Sequence, residues 1–134
     1  MISSDNGAPA LVLYEDGRQE MERAATVIAD RIAAAGRAVA VRAASTATIP
    51  EILAAGLFVI GAESPDSPSY AEVARVFKGI NLAGRKAAFF GASGAAVARL
   101  KAMCSDTDIT AAHADLVGSR LESVAVAAWL RGII

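Results

Sequence analysis

Short apolar runs of strand length recur along this chain, and each is followed by a segment with helical spacing. That alternation constrains the fold more than any other feature. Ala10-Leu11-Val12-Leu13-Tyr14 is apolar throughout. Such a run suits a strand covered on both faces, as in a parallel sheet. From about Arg18 to Ala35, Met21, Ala24, Ala25, Ile28 and Ile32 recur at steps of three and four, which marks one face of a helix. Glu20 and Glu22 crowd its first turn, where the helix dipole favours acids. Gly36 follows where a C′ glycine belongs.

The same rhythm predicts the rest of the chain. Ala38–Ala43 reads as a second strand. Thr48–Ala55 reads as a short helix, with Pro50 in its first turn. Leu57–Ile60 is a third strand closed by Gly61. Ser67 and Pro68 read as N-cap and N1 of a helix to about Lys78. Lys86–Phe90 is a fourth strand closed by Gly91. Gly94–Met103 is a helix, Ile109–Ala112 a short fifth strand, and Arg120–Arg131 the closing helix. Five strands alternating with helices predict an α/β three-layer sandwich: a parallel sheet between two helix layers. Right-handed crossovers leave few topologies, and 2-1-3-4-5 is the common order. A length of 134 residues suits one domain over 1–134, with residues 1–9 as a loose lead-in.

Composition narrows the function classes. The 13 basic and 14 acidic side chains nearly balance. A nucleic-acid binder needs clustered positive charge, so none is expected. No apolar run reaches 18 residues, and residues 1–9 lack the pattern of a signal peptide. Neither membrane insertion nor secretion is expected. Cys104 is the single cysteine, which excludes an intrachain disulfide and fits a reducing, cytoplasmic setting. One Cys with one His, His113, suggests neither a zinc site nor a catalytic pair.

In open parallel sheets the ligand crevice lies at the carboxyl ends of the strands. The loops to read therefore follow Tyr14, Ile60, Phe90 and Ala112. Phe77-Lys78-Gly79-Ile80-Asn81-Leu82-Ala83-Gly84-Arg85-Lys86-Ala87-Ala88-Phe89-Phe90-Gly91 resembles the N-L-x-G-K-K-V-A-x-F-G entry into the fourth strand of flavodoxins. Tyr14, followed by Glu22-Arg23-Ala24-Ala25, resembles their first strand and helix. The resemblance covers about Ala10 to Arg131. It implies a flavodoxin-like fold, FMN as cofactor and electron transfer as activity. It also nominates the crevice-lining positions Asp16, Gly17, Arg18, Gln19, Ala62, Glu63, Tyr70, Ala92 and Ser93.

The loops depart from the family pattern. The family's Y-G-S-T-T-G-N-T-E loop wraps the FMN phosphate with hydroxyls and backbone N–H groups at a helix N-terminus. Here the same length reads Tyr14-Glu15-Asp16-Gly17-Arg18-Gln19-Glu20-Met21-Glu22. Every hydroxyl is gone, and Glu15, Asp16 and Glu20 stand where an anion would sit. A like-charge pair 4 Å apart costs about 4 kcal/mol at an effective dielectric of 20, or about a thousandfold in affinity. The family's second loop, G-S-P-T-Y-G, becomes Gly61-Ala62-Glu63-Ser64-Pro65-Asp66-Ser67-Pro68-Ser69-Tyr70. Tyr70 is its one aromatic, expected half-buried in the first turn of a helix. Gly91-Ala92-Ser93-Gly94 carries no aromatic. The expectation is a non-catalytic binding or interaction protein with a degenerate FMN site.

Two further readings follow from the same residues. One is a divergent flavodoxin that carries electrons on FMN. The other is a receiver-like phospho-switch, with Glu15 and Asp16 holding Mg²⁺; against it, these acids read as a solvated helix start. Partners are open: a protein partner, or a second copy of the chain against the apolar Val124–Leu130 stretch of the last helix. That stretch otherwise reads as core.

Overall fold

The computed structural model describes residues 8–64, 68–105, 107–112, 115–117, 123–131 and 133. Strand β1 is Ala10–Tyr14, β2 Val39–Ala43, β3 Leu57–Ala62 and β4 Lys86–Gly91. Two short edge segments follow, β5 Thr110–Ala111 and β6 Leu116–Val117. The helices are α1 Gln19–Ala34, α2 Ile49–Ala54, α3 Ala71–Gly79, α4 Gly94–Cys104 and α5 Ser123–Leu130. Every strand pairing is parallel, and the order is β2-β1-β3-β4-β5, as the alternation predicts.

The pleat sorts the strand residues between the two helix layers. Leu11, Leu13, Phe58, Ile60, Ala87 and Phe89 meet Ile52 of α2, Val73 and Phe77 of α3, and Val97 and Leu100 of α4. The Phe58 and Phe77 ring centroids are 5.0 Å apart in that layer. Val12, Leu57, Val59, Ala88 and Phe90 meet Ala25, Ile28 and Ile32 of α1 and Val126, Trp129 and Leu130 of α5. Trp129 and Leu130 are thus core residues. Strands apolar on both faces are what a sheet covered on both sides requires.

Local signals explain most boundaries. Gly36 follows α1 with φ +91°, a backbone conformation glycine adopts without penalty. At α2, the Thr48 hydroxyl accepts the Glu51 N–H, and the Glu51 carboxylate accepts the Thr48 N–H in return. This capping box anchors a six-residue helix that would be marginal alone.

Two expectations are corrected. The predicted helix after the third strand does not begin at Pro68. A 3₁₀ turn covers Pro68–Tyr70, and α3 starts at Ala71; Ser67 lies outside the described residues. The fifth strand is shorter than Ile109–Ala112, covering Thr110–Ala111, and a further segment, Leu116–Val117, pairs with β4 beyond it. From Ala87 to Phe90 β4 advances three residues, while its neighbour advances five, from Ala111 to Leu116. Thr110–Ala111 and Leu116–Val117 are thus two separate pairings along the same edge of β4. Residues 118–122 and His113 lie outside the described residues. Among the described residues, no helix is long and apolar enough to cross a membrane.

Candidate functional site

The carboxyl ends of β1, β3 and β4 lie side by side in the register Tyr14–Gly61 and Ala62–Gly91. Their loops form the crevice edge. Among these loops is Glu15, the residue after β1, which is only 3 % exposed. Burial of a carboxylate costs heavily without partners. Glu15 has them: its Oε1 accepts the N–H of Glu63 at 2.8 Å and of Ser64 at 3.0 Å. Its Oε2 lies 3.5 Å from Arg18 Nε. The Glu15 carboxylate therefore joins the first loop to the third-strand loop. The sequence reads Glu15 as part of a solvated helix start, and the structure corrects this: a buried carboxylate seeks fixed N–H donors, and residues 48 and 49 positions away provide them.

Asp16 points elsewhere. Its Oδ1 accepts the Ser45 N–H at 3.0 Å, and its Oδ2 accepts the Ser45 hydroxyl. Its own N–H donates to Ser69 Oγ at 3.1 Å. So Asp16 links the loops after β1 and β2 to the turn before α3. Gly17 turns the chain with φ +74°, a value rarely open to other residues. Arg18 occupies the N-cap of α1 without capping it by side chain. Its guanidinium, about half exposed, also faces Glu63 Oε2 at 3.3 Å. Gln19 and Glu20 open α1 and are exposed.

The remaining nominated positions serve the frame. Tyr70 is 5 % exposed, and its hydroxyl donates to the Gly61 carbonyl at 2.7 Å. It is more deeply buried than the sequence implies and faces the core rather than the crevice mouth. Burial pushes its pKa well above 10.0; the Glu15 and Asp16 charges push the same way, against the opposing hydrogen bond to Gly61. Ala62 is buried, and its carbonyl accepts the Ala92 N–H at 3.2 Å. A side chain on Gly91 would meet that carbonyl, with Cβ at 2.8 Å. Ser93 caps α4, accepting the Ala96 N–H at 3.2 Å. Tyr14, half-buried, is shifted upward by burial and by the charges of Glu22 and Asp16.

The structure thus gathers Arg18 and Glu63 around Glu15, directs Asp16 to Ser45, and turns Tyr70 and Ser93 to other tasks. Ser45, Ser64 and Ser69 complete the network, and sequence reasoning missed them. No local signal marks them, since each meets the first loop only across the fold. The two acids of the receiver-like reading diverge toward different loops. Among the described residues, no group of three or more His, Cys, Asp or Glu is placed to hold a metal ion. Cys104 is buried, and burial raises its thiol to about 12. A thiol so shifted is an apolar core residue rather than a nucleophile.

This architecture is that of the flavodoxin-like α/β proteins. A short-chain flavodoxin associated with a PDU bacterial microcompartment superposes with a TM-score of 0.80 at 15 % identity, covering 93 % of this chain and 95 % of that one. A flavodoxin of Streptococcus pneumoniae gives 0.76 at 17 %, covering 93 % and 94 %. Flavodoxin 1 of Bacillus cereus gives 0.75 at 20 %, covering 94 % and 95 %. At these identities the likeness is one of fold. No family model and no curated protein matches the chain.

Proposed function

We propose that this chain is a flavodoxin-like binding or interaction protein, without catalytic chemistry, whose crevice does not take FMN by its phosphate. The observation that carries the reading is the position of the Glu15 carboxylate, buried at the carboxyl end of β1 and bonded to the N–H groups of Glu63 and Ser64. The donor set of the first loop does not fit a phosphate. Residues 15–20 offer no hydroxyl and carry three carboxylates. The cation there, Arg18, already faces Glu15 and Glu63. A phosphate entering this loop would bring further negative charge beside Glu15 and Glu63, whose shared cation is already engaged. Fold does not carry function, so the residues decide.

The test is a titration of the purified protein with FMN and with riboflavin, followed by flavin fluorescence. The expected result is no affinity gained from the phosphate. Tight FMN binding that riboflavin does not match would overturn the reading and restore an electron carrier. The triple replacement Glu15→Ser, Asp16→Thr and Glu20→Asn is expected to raise FMN affinity by about tenfold or more, since each step of 1.4 kcal/mol is a factor of ten. Unchanged affinity would refute the electrostatic account.

A further inference from the structure

We propose that the consecutive backbone N–H groups of Glu63 and Ser64 form a carboxylate-binding site, which Glu15 of the same chain fills. Both N–H groups converge on one oxygen, Glu15 Oε1, at 2.8 and 3.0 Å. Successive amides aimed at one point make a concave anion site of fixed partial charge. Arg18 Nε supports the second carboxylate oxygen from 3.5 Å. Glu15, which fills the site, is 3 % exposed, so water does not share these donors freely. Tethered one residue beyond β1, Glu15 reaches these donors as an intramolecular group, without the translational and rotational cost that a dissolved carboxylate meets. The wild-type crevice is therefore closed to small monocarboxylates by its own side chain. Shortening that side chain opens a site for one.

The experiment uses the full chain with acetate as probe and sodium chloride as ionic-strength control, read at the amide resonances of Glu63 and Ser64. In Glu15→Ala, acetate up to a few hundred millimolar is expected to shift both resonances saturably, and chloride is not. In the wild type neither salt does so. Amides in Glu15→Ala that ignore acetate, or a wild type that responds as strongly, would overturn the proposal. Glu15→Gln keeps the reach and an acceptor oxygen while removing the charge, and covers the case in which the alanine variant does not fold. Charge-assisted hydrogen bonds are about twice as strong as neutral ones. Hydrogen exchange at both amides should therefore be faster in Glu15→Gln, by about threefold or more, with Val59 in β3 unchanged. Equal exchange in the two proteins counts against the proposal. The inference deepens the reading of the same crevice, yet the two fail separately. The flavin titration reports on wild-type affinity for a phosphate, and the acetate response on two named amides of a variant.

Discussion

The Phe90 ring lies where a side chain on Gly61 would stand. These residues are direct partners across β3 and β4. A Cβ on Gly61 would fall 2.1 Å from Cε2 and Cζ of that ring. The glycine that closes β3 is therefore a steric requirement of the core. It also sets the entry to the crevice, since its carbonyl receives Tyr70 and its loop supplies the donors for Glu15. Gly61→Ala is expected to lose about 3 kcal/mol, the upper part of the range for overpacking, read from urea unfolding at constant m-value. Phe90→Leu should relieve part of the clash, so the double variant should lose less than the sum of the singles. Strict additivity would show that Phe90 is not the obstacle.

Tyr70 gives the alkaline limit. Its phenol titrates well above 10.0 in the folded chain, chiefly because it is buried. In the unfolded chain it ionises near 10. The unfolded state therefore loses its proton first as pH rises. The stability contributed by the neutral phenol is complete below about pH 10 and falls as pH climbs through the window above it, with a slope of at most about 1.4 kcal/mol per pH unit. Tyr70→Phe should cost about 1 kcal/mol at neutral pH by loss of the bond to Gly61. It should also flatten the decline above pH 10 relative to wild type. Parallel curves for the two proteins in urea unfolding between pH 8 and 11 would remove Tyr70 as the cause.

Local pattern made the sheet legible, and distance hid the site. Apolar runs such as Ala10–Tyr14 and glycines such as Gly36 announce their elements through period and backbone freedom. The order 2-1-3-4-5 follows from right-handed crossovers. Glu15 was legible as an acid in the wrong place for a phosphate. Its burial was not, because its donors lie about fifty residues away on another loop. Tyr70 likewise reads as a helix residue until its partner, Gly61, is known. The divided edge at β5 and β6 escaped for a different reason: it depends on register against β4, which no run of apolar residues encodes.

Asp16 provides a test of how the crevice loops are held. Its carboxylate binds both the N–H and the hydroxyl of Ser45, in the 3₁₀ turn Ala44–Thr46 that follows β2. Its N–H, bonded to Ser69, does not depend on the side chain. Asp16→Ala should therefore free the β2 turn and leave the link to Ser69 in place. The expected loss is about 1 kcal/mol, since partly exposed hydrogen bonds contribute modestly. Hydrogen exchange at the Ser45 amide should quicken about tenfold, because only the Asp16 side chain is being removed from it. Asp16→Asn retains an oxygen for the Ser45 N–H and should fall between the two. Ser45→Ala removes the hydroxyl alone, and its effect should vanish when Asp16 is already alanine. If Ser45→Ala costs as much in Asp16→Ala as in wild type, the hydroxyl stabilises the turn by some route other than Asp16.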